Sequence, residues 1–264
     1  MMNLSASIVG AGNLAWHLAP ALDNAGVVIR EVYARKKGDA KSLADRLYQA
    51  RVKTDLDFSR SSSDLIILAV SDEAIEDVAM EIELAESASI VHTSASQSAG
   101  ILANAMTEKF GVFYPLQTFS KSKRVDFRDI PILIESMDAN TLKLLRKIAS
   151  SLSRNVVELD GKTRRAVHLS AVFASNFTNH MFKVARDITD YHQVDFKVLF
   201  PLIRETVEKM MEIGPEAAQT GPARRRDYAI LDKHLELLKE NEELSEIYRL
   251  ISQHIVDTYT EEEE

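Results

Sequence analysis

With 264 residues, 45% of them hydrophobic and 27% charged, the chain has the composition of a globular protein long enough for two domains and a large core. Its net charge of -8 argues against generic nucleic-acid binding, which needs clustered cations, and its lack of cysteine excludes a disulfide framework, a thiolate nucleophile and a Cys-bound metal. No apolar run is long enough to span a bilayer and no basic-then-apolar leader is visible, so neither a membrane partner nor a signal peptide is expected; a reducing cytoplasm fits, and no metal site is read.

The first element is the apolar run Leu4 to Val9, which ends in Gly10-Ala11-Gly12-Asn13-Leu14-Ala15 and continues in the helix-friendly Trp16 to Ala19. That order reads strand, tight turn, helix. Gly10 permits the turn, Gly12 lets a pyrophosphate come against the backbone, and Ala15 lets the helix lie close to the strand. The helix aims its free N–H groups and positive dipole end at the phosphates, which makes Gly10 to Ala15 the expected cofactor-binding turn. Ala25-Gly26 reads as the helix stop, and Val27 to Ala34 as the second strand. Arg35-Lys36-Lys37 follows at once. An acid at this strand end would hold the ribose 2′-OH of NAD, whereas an Arg suits the 2′-phosphate of NADP. Glu31 falls mid-strand and Arg35 sits at its end, so Arg35 and Lys36 favour NADP over NAD. The bland alternative for these cations is a solvated loop.

Lys41 to Gln49 reads as a helix and Arg51-Val52-Lys53 as a third strand. The unbroken apolar run in Asp64 to Val70 is what a parallel strand covered on both faces shows. Val70 and Ser71 end it beside the cofactor, and a helix is expected from Glu73 to Leu84. Ser89 to Ser94 is the next strand. It ends in small polar residues, and such strand ends face the ligand crevice of a doubly wound sheet, so Thr93 and Ser94 are placed with the cofactor. His92 is either near the substrate or a hydrogen-bonded histidine inside the sheet. Gly111 to Tyr114 is a further strand, followed by a loop carrying Gln117; Tyr114 and Gln117 join the substrate candidates. Ile130 to Ile134 is expected towards a sheet edge because of Pro131. Asp138 caps a helix to Ser153, and Val156 to Leu159 closes the sheet. Strands alternating with helices argue an α/β, mostly parallel dinucleotide-binding domain over 1–160.

From Asp160 no further strand signal appears, so 161–264 is read as an all-α domain. Lys162 to Tyr191 is a long helical candidate, apolar nearly all round and therefore expected to be buried. It carries His168, Ser175, Asn176, Asn179 and His180 on one side. With α-helical spacing His168, Ser175 and Asn179 share a stripe, with Asn176 on its shoulder. These groups either bond within the protein or line a wet cleft that takes a substrate. Asp195 caps a helix from Phe196 to Ile213, kinked or broken at Pro201. Thr220 to Asp227 is a turn with the basic cluster Arg224-Arg225-Arg226. Tyr228 to Leu238 and Glu243 to Tyr259 are the last helices, and Glu261 to Glu264 is read as a solvated tail.

The segments from His168 to Phe177, Phe200-Pro201-Leu202, Thr220-Gly221-Pro222 with Arg225 and Asp227, His234-Leu235, and Tyr114-Pro115-Leu116-Gln117-Thr118-Phe119 resemble one known family. It is the Rossmann-like/DUF2520 family, whose members are often assigned as NADP oxidoreductases. It is related to pyrroline-5-carboxylate reductase and to the β-hydroxyacid dehydrogenases with a 6-phosphogluconate dehydrogenase-like C-terminal domain. The resemblance implies a Rossmann domain followed by a helical domain that builds a homodimer, and a cleft between domains with the His168/Asn176 helix on one wall. Three positions depart from the relatives. Val172 stands where the β-hydroxyacid dehydrogenases carry a catalytic Lys, four residues before Asn176. Ala95 follows Ser94 where Gly is common, and Tyr114 replaces a frequent His.

The resulting expectation is hydride transfer between NADP(H) and a small carbonyl or imine substrate. An imidazole exchanges protons near neutral pH, so His168 is the proton donor of choice, with Asn176 orienting the substrate. His92, Asn179 and Arg225 are further substrate candidates, Arg225 for a carboxylate. A deazaflavin remains an alternative hydride partner. The rival readings are a dinucleotide sensor without turnover, motivated by the missing Lys, and a structural dimer.

Overall fold

The structure, a computed structural model, describes residues 4–260, so the acidic run Glu261 to Glu264 lies outside the described residues. The chain divides by packing into one unit that ends at Thr178 and another that begins at Asn179. The change of element type comes earlier, at residue 160.

In the first unit the main-sheet strands are β1 (Ser5–Val9), β2 (Val28–Tyr33), β3 (Arg51–Lys53), β5 (Leu65–Leu68), β7 (Ser89–His92), β8 (Phe110–Pro115), β9 (Ile132–Ser136) and β10 (Val156–Glu158); β4 (Asp57–Phe58) and β6 (Glu83–Leu84) form a separate parallel pair. The sheet order is β10-β9-β8-β7-β5-β1-β2-β3, parallel from β3 to β8, with β9 antiparallel to β8. Strand order therefore reverses beside β1, which is where a doubly wound sheet opens its ligand crevice. The helices are α1 (Asn13–Asn24), α2 (Lys37–Ala44), α3 (Ile75–Glu81), α4 (Ala139–Leu152) and α5 (Gly161–Ala171).

The run Leu65-Ile66-Ile67-Leu68 is buried throughout, and the period of two explains why. Leu65 and Ile67 join the core that contains Leu18 and Leu22 of α1 and Leu145 and Ile148 of α4. Ile66 and Leu68 face the other way, into the core with Ile75 and Ala79 of α3. Helices on both faces leave the strand no solvated side. Helix α4 starts as read, with Asp138 Oδ2 accepting from Thr141 N at 2.7 Å.

Three expectations are corrected. β9 lies between β8 and β10 rather than at an edge, because Pro131 precedes its first residue and removes no ladder bond. Helix α2 begins at Lys37 and ends at Ala44, earlier than its apolar pattern indicates. Helix α3 ends at Glu81, because Glu83 and Leu84 pair with Asp57 and Phe58. The break expected at Pro201 is present: a 3-10 turn over Phe196–Leu199 gives way to an α-helix that starts at Phe200, with Pro201 in its first turn, where no intrahelical N–H bond is lost.

The second unit contains α6 (Thr178–Tyr191) from its second residue on, then α7 (Phe200–Ile213), α8 (Pro215–Ala218), α9 (Tyr228–Leu237) and α10 (Glu242–Thr258). Its buried core is small: Ala223, Leu231 and Val256, with Tyr248 and Ile255 packed against them. The expectation that the long helix is buried fails for the single chain. Leu169, Phe173 and Phe177 are at least half exposed, and α6 has no buried residue. Met181 and Val184 of α6 are half-buried and line an apolar cleft with Leu231, Tyr248 and Ile255. Among the described residues no helix is long and apolar enough to cross a membrane, and no group of three or more His, Asp or Glu side chains could hold a metal ion.

Candidate functional site

The turn after β1 is held from two sides. Gly10 N donates to Tyr33 O on β2 at 2.7 Å, and Ala69 N donates to Val9 O at 2.7 Å. Gly10 has φ +114°, and a Cβ there would stand 2.2 Å from Ala69 O, so the protein itself demands glycine. Gly12 is different. It is the extended N-cap residue of α1, and a Cβ on it would meet nothing within 4 Å. The space is open, and no side chain caps the helix, whose first turn has no acidic residue. Free N–H groups, a positive dipole end and an open approach fit a pyrophosphate. Ala15 is fully buried where α1 meets the sheet, while Gly12 and Asn13 are exposed and Ala11 and Leu14 partly so.

At the end of β2, Arg35 and Lys36 are exposed, and Lys37 opens α2. Glu31, the acid a ribose would need, is taken up elsewhere. It pairs in register with Ser7 of β1, and its Oε2 accepts from Ser7 Oγ at 2.8 Å and from Ser61 Oγ at 2.5 Å. A carboxylate satisfying a buried serine is not presented at the strand's end.

The parallel topology brings Gly10, Val70, Ser71, Thr93, Ser94 and Tyr114 to one edge of the sheet, at the ends of β1, β5, β7 and β8. Ser71 is exposed and Val70 half-buried. Thr93 and Ser94 use their hydroxyls within the protein. Thr93 Oγ1 donates to Leu68 O at 3.2 Å, and Ser94 Oγ accepts from Ser96 N at 3.1 Å and Gln97 N at 3.0 Å. What this turn can offer a ligand is its backbone. Placing His92 against the substrate is corrected outright. It is 0% exposed, Ser94 N donates to its Nδ1 at 3.1 Å, and its Nε2 therefore carries the proton and donates to Ser98 O at 3.2 Å. Burial pushes its imidazole down to about 4, with the Arg164 charge acting the same way.

Tyr114 and His168 do meet. The Tyr114 hydroxyl lies 3.4 Å from His168 Nδ1, and the rings pack edge to face with centroids 6.2 Å apart. Such a distance is long for a hydrogen bond. Burial raises the Tyr114 phenol above its ordinary value, against the pull of Arg164, so the group holds its proton. Asn176 is exposed. The segment Val172–Phe177 is a π-helix, whose turn takes one residue more than an α-turn. The α-helical count that aligned Ser175 with His168 does not hold across this segment, in which Ser175 is half-buried and Asn176 exposed.

Gln117 is exposed and turned onto its own loop, its Oε1 accepting from Thr118 N at 2.8 Å. Asn179 and Arg225 belong to the second unit and are exposed there. The neighbours of Arg225 serve the helix ends. The Arg224 guanidinium lies 4.3 Å from the Tyr259 ring centroid, and Arg226 Nη2 donates to Tyr259 O at 3.4 Å. Sequence reasoning missed Arg164, which is completely buried and reaches the turn after β7. Its one signal was its place four residues before His168, on the same helix face.

Residues 1–117 match the Rossmann-like domain family, and residues 130–255 match the domain of unknown function DUF2520. Among solved structures, a Bacteroides fragilis protein assigned as an NADP oxidoreductase is 37% identical, covering 96% of this chain and 98% of that one with a TM-score of 0.85. A Thermotoga maritima protein is 20% identical over 98% of this chain and 100% of that one, TM-score 0.74. A reductive aminase from Aspergillus terreus, solved with NADPH and ethyl-5-oxohexanoate, is 15% identical over 97% and 94%, TM-score 0.74. The last two share the fold. No curated protein matches the chain.

Proposed function

The chain belongs to the Rossmann-like/DUF2520 family, and from that membership we propose that it is an NADP-dependent oxidoreductase acting on a small carbonyl or imine substrate. The observation that carries the reading is the open approach at Gly12, a glycine whose Cβ nothing in the protein excludes. The similarity to an assigned NADP oxidoreductase supports the cofactor, and the engagement of Glu31 by Ser7 and Ser61 supports NADP over NAD. When bound, NADPH supplies the hydride.

The chain's own residues do the rest. Gly10 to Ala15 hold the pyrophosphate, and Arg35 with Lys36 holds the 2′-phosphate. His168 delivers a proton to the substrate oxygen or nitrogen, with the Tyr114 hydroxyl beside its Nδ1, and Asn176 orients the substrate. The helical unit forms a homodimer, for which the exposed side chains of Phe200, Leu202, Met211 and Leu250 speak. A second reading, a dinucleotide sensor without turnover, rests on Val172 in place of the relatives' catalytic Lys.

The test is a thermal-shift comparison with NADP, NADPH, NAD and NADH, because a ligand that binds only the folded state raises its melting temperature. The phosphorylated pair should raise it, and Arg35→Asp should cancel most of that rise while leaving any NAD effect. No shift with any dinucleotide would defeat both nucleotide readings. A shift without NADPH oxidation across a panel of carbonyls and imines would favour the sensor.

A further inference from the structure

Arg164 is the largest of the completely buried side chains. Its Nε donates to Glu135 Oε2 at 3.1 Å, its Nη1 to Ser94 O at 2.9 Å and Ala95 O at 2.5 Å, and its Nη2 to Gln97 O at 2.7 Å. One guanidinium thus gathers three carbonyls of the turn that follows β7, and a single carboxylate balances its charge. Burying an arginine costs free energy that an apolar side chain would not, so its advantage is geometric: a planar fork fixes several acceptors at once. The other tethers of this turn also run inward. His92 holds Ser94 N and Ser98 O, and Ser94 Oγ holds the N–H groups of Ser96 and Gln97. The Ser94 and Ala95 carbonyls point at Arg164, so in trans peptides the N–H groups of Ala95 and Ser96 point away from it; the Ser96 N–H is taken by Ser94 Oγ, and that of Ala95 is not. The turn is set from below, and on its other side the Ala95 N–H and the exposed Ser96 are what it has left for contact.

Topology says what that face meets. If the pyrophosphate sits at Gly12 after β1 and the 2′-phosphate half lies over β2 at Arg35, the other half of the dinucleotide runs the opposite way, over β5 and β7. We propose that Arg164 is a positioning residue: by clamping the 94–97 carbonyls it holds the turn's backbone in place to receive the nicotinamide half of the cofactor. This rests on the dinucleotide reading above. Arg164 touches no reacting atom and acts through the turn.

The test compares two ligands by thermal shift and titration: NADPH, and 2′-phospho-ADP-ribose, which lacks the nicotinamide. Wild-type protein should bind NADPH more tightly than the fragment. Arg164→Lys keeps the charge and loses the fork, and should weaken NADPH about tenfold while the fragment's dissociation constant stays the same. Restoring the full difference on reversion to Arg alone completes the pattern. Should Arg164→Lys fail to fold, Ser94→Ala loosens the same turn with the buried charge intact and should split the two ligands in the same direction. Equal losses for both ligands would show a merely structural arginine, and no loss for either would show a turn that meets no ligand; each overturns the proposal. Wild-type protein that binds the fragment as tightly as NADPH overturns it too, with the dinucleotide site intact. Wild-type protein that binds neither removes the dinucleotide reading and this proposal with it.

Discussion

His92 shows how much one buried ring contributes. Burial lowers its folded value to about 4 from an ordinary 6.5. The sign follows from linkage. As pH falls through 6.5 the unfolded chain takes up a proton that the folded ring refuses until about 4, so stability is full above the upper value and is lost across that window. The loss attached to this one group amounts to about 3 kcal/mol. Replacing His92 by Gln keeps a donor and an acceptor and removes the titration. Urea unfolding from pH 7 to pH 4 should then give a flatter stability curve than wild type; parallel curves would place the acid sensitivity elsewhere. From the sequence His92 was open between a ligand contact and a sheet histidine. Nothing along the chain marks Ser94 N and Ser98 O as the partners that decide it, since they meet the ring only when the turn folds back.

At the scale of elements, the strand–turn–helix at the start is the part most legible from sequence, and its two glycines separate fold from function. Gly10→Ala forces a Cβ onto Ala69 O at 2.2 Å from a backbone at φ +114°, and should cost about 3 kcal/mol or more in urea unfolding. Gly12→Ala meets nothing in the protein and should leave stability within about 0.5 kcal/mol while weakening NADPH at least about tenfold. If Gly12→Ala binds NADPH as wild type does, the pyrophosphate is not at this turn. The helix of His168 was harder to read. Counting at 3.6 residues per turn assumes an unbroken α-helix, and the π-helical Val172–Phe177 interrupts that count, with Ser175 half-buried and Asn176 exposed. No residue in Val172-Phe173-Ala174-Ser175-Asn176-Phe177 announces the π turn, because the choice between i+4 and i+5 bonding depends on surroundings.

For the whole molecule, the two units differ in how well they bury themselves. The first has apolar cores on both faces of its sheet, whereas the second, among the described residues, buries little beyond Ala223, Leu231, Val256 and Tyr259 and leaves Leu202, Met211, Leu237 and Leu250 more than 60% exposed. A surface of that kind matches association better than life as a monomer. Sedimentation should give twice the chain mass, and the double substitution Leu202→Glu and Leu250→Glu should halve it; a wild-type monomer at micromolar concentration would end the homodimer proposal. The apolar pattern alone led to the expectation of a buried helix, because periodicity reports that a face wants cover and is silent on whether this chain or another supplies it.

The Gly10–Ala15 turn, the doubly covered β5, the Asp138 cap and the α/β-then-α order follow from rules that act within a few residues: backbone freedom, side-chain period and capping. Local chemistry suffices there, since the interacting atoms are neighbours in the chain. The occupation of Glu31 by Ser7 and Ser61, the burial of His92 and the clamp of Arg164 on a turn 70 residues away were decided only by tertiary structure. Each depends on a polar group finding a partner far along the chain, and desolvation makes that partner necessary without naming it.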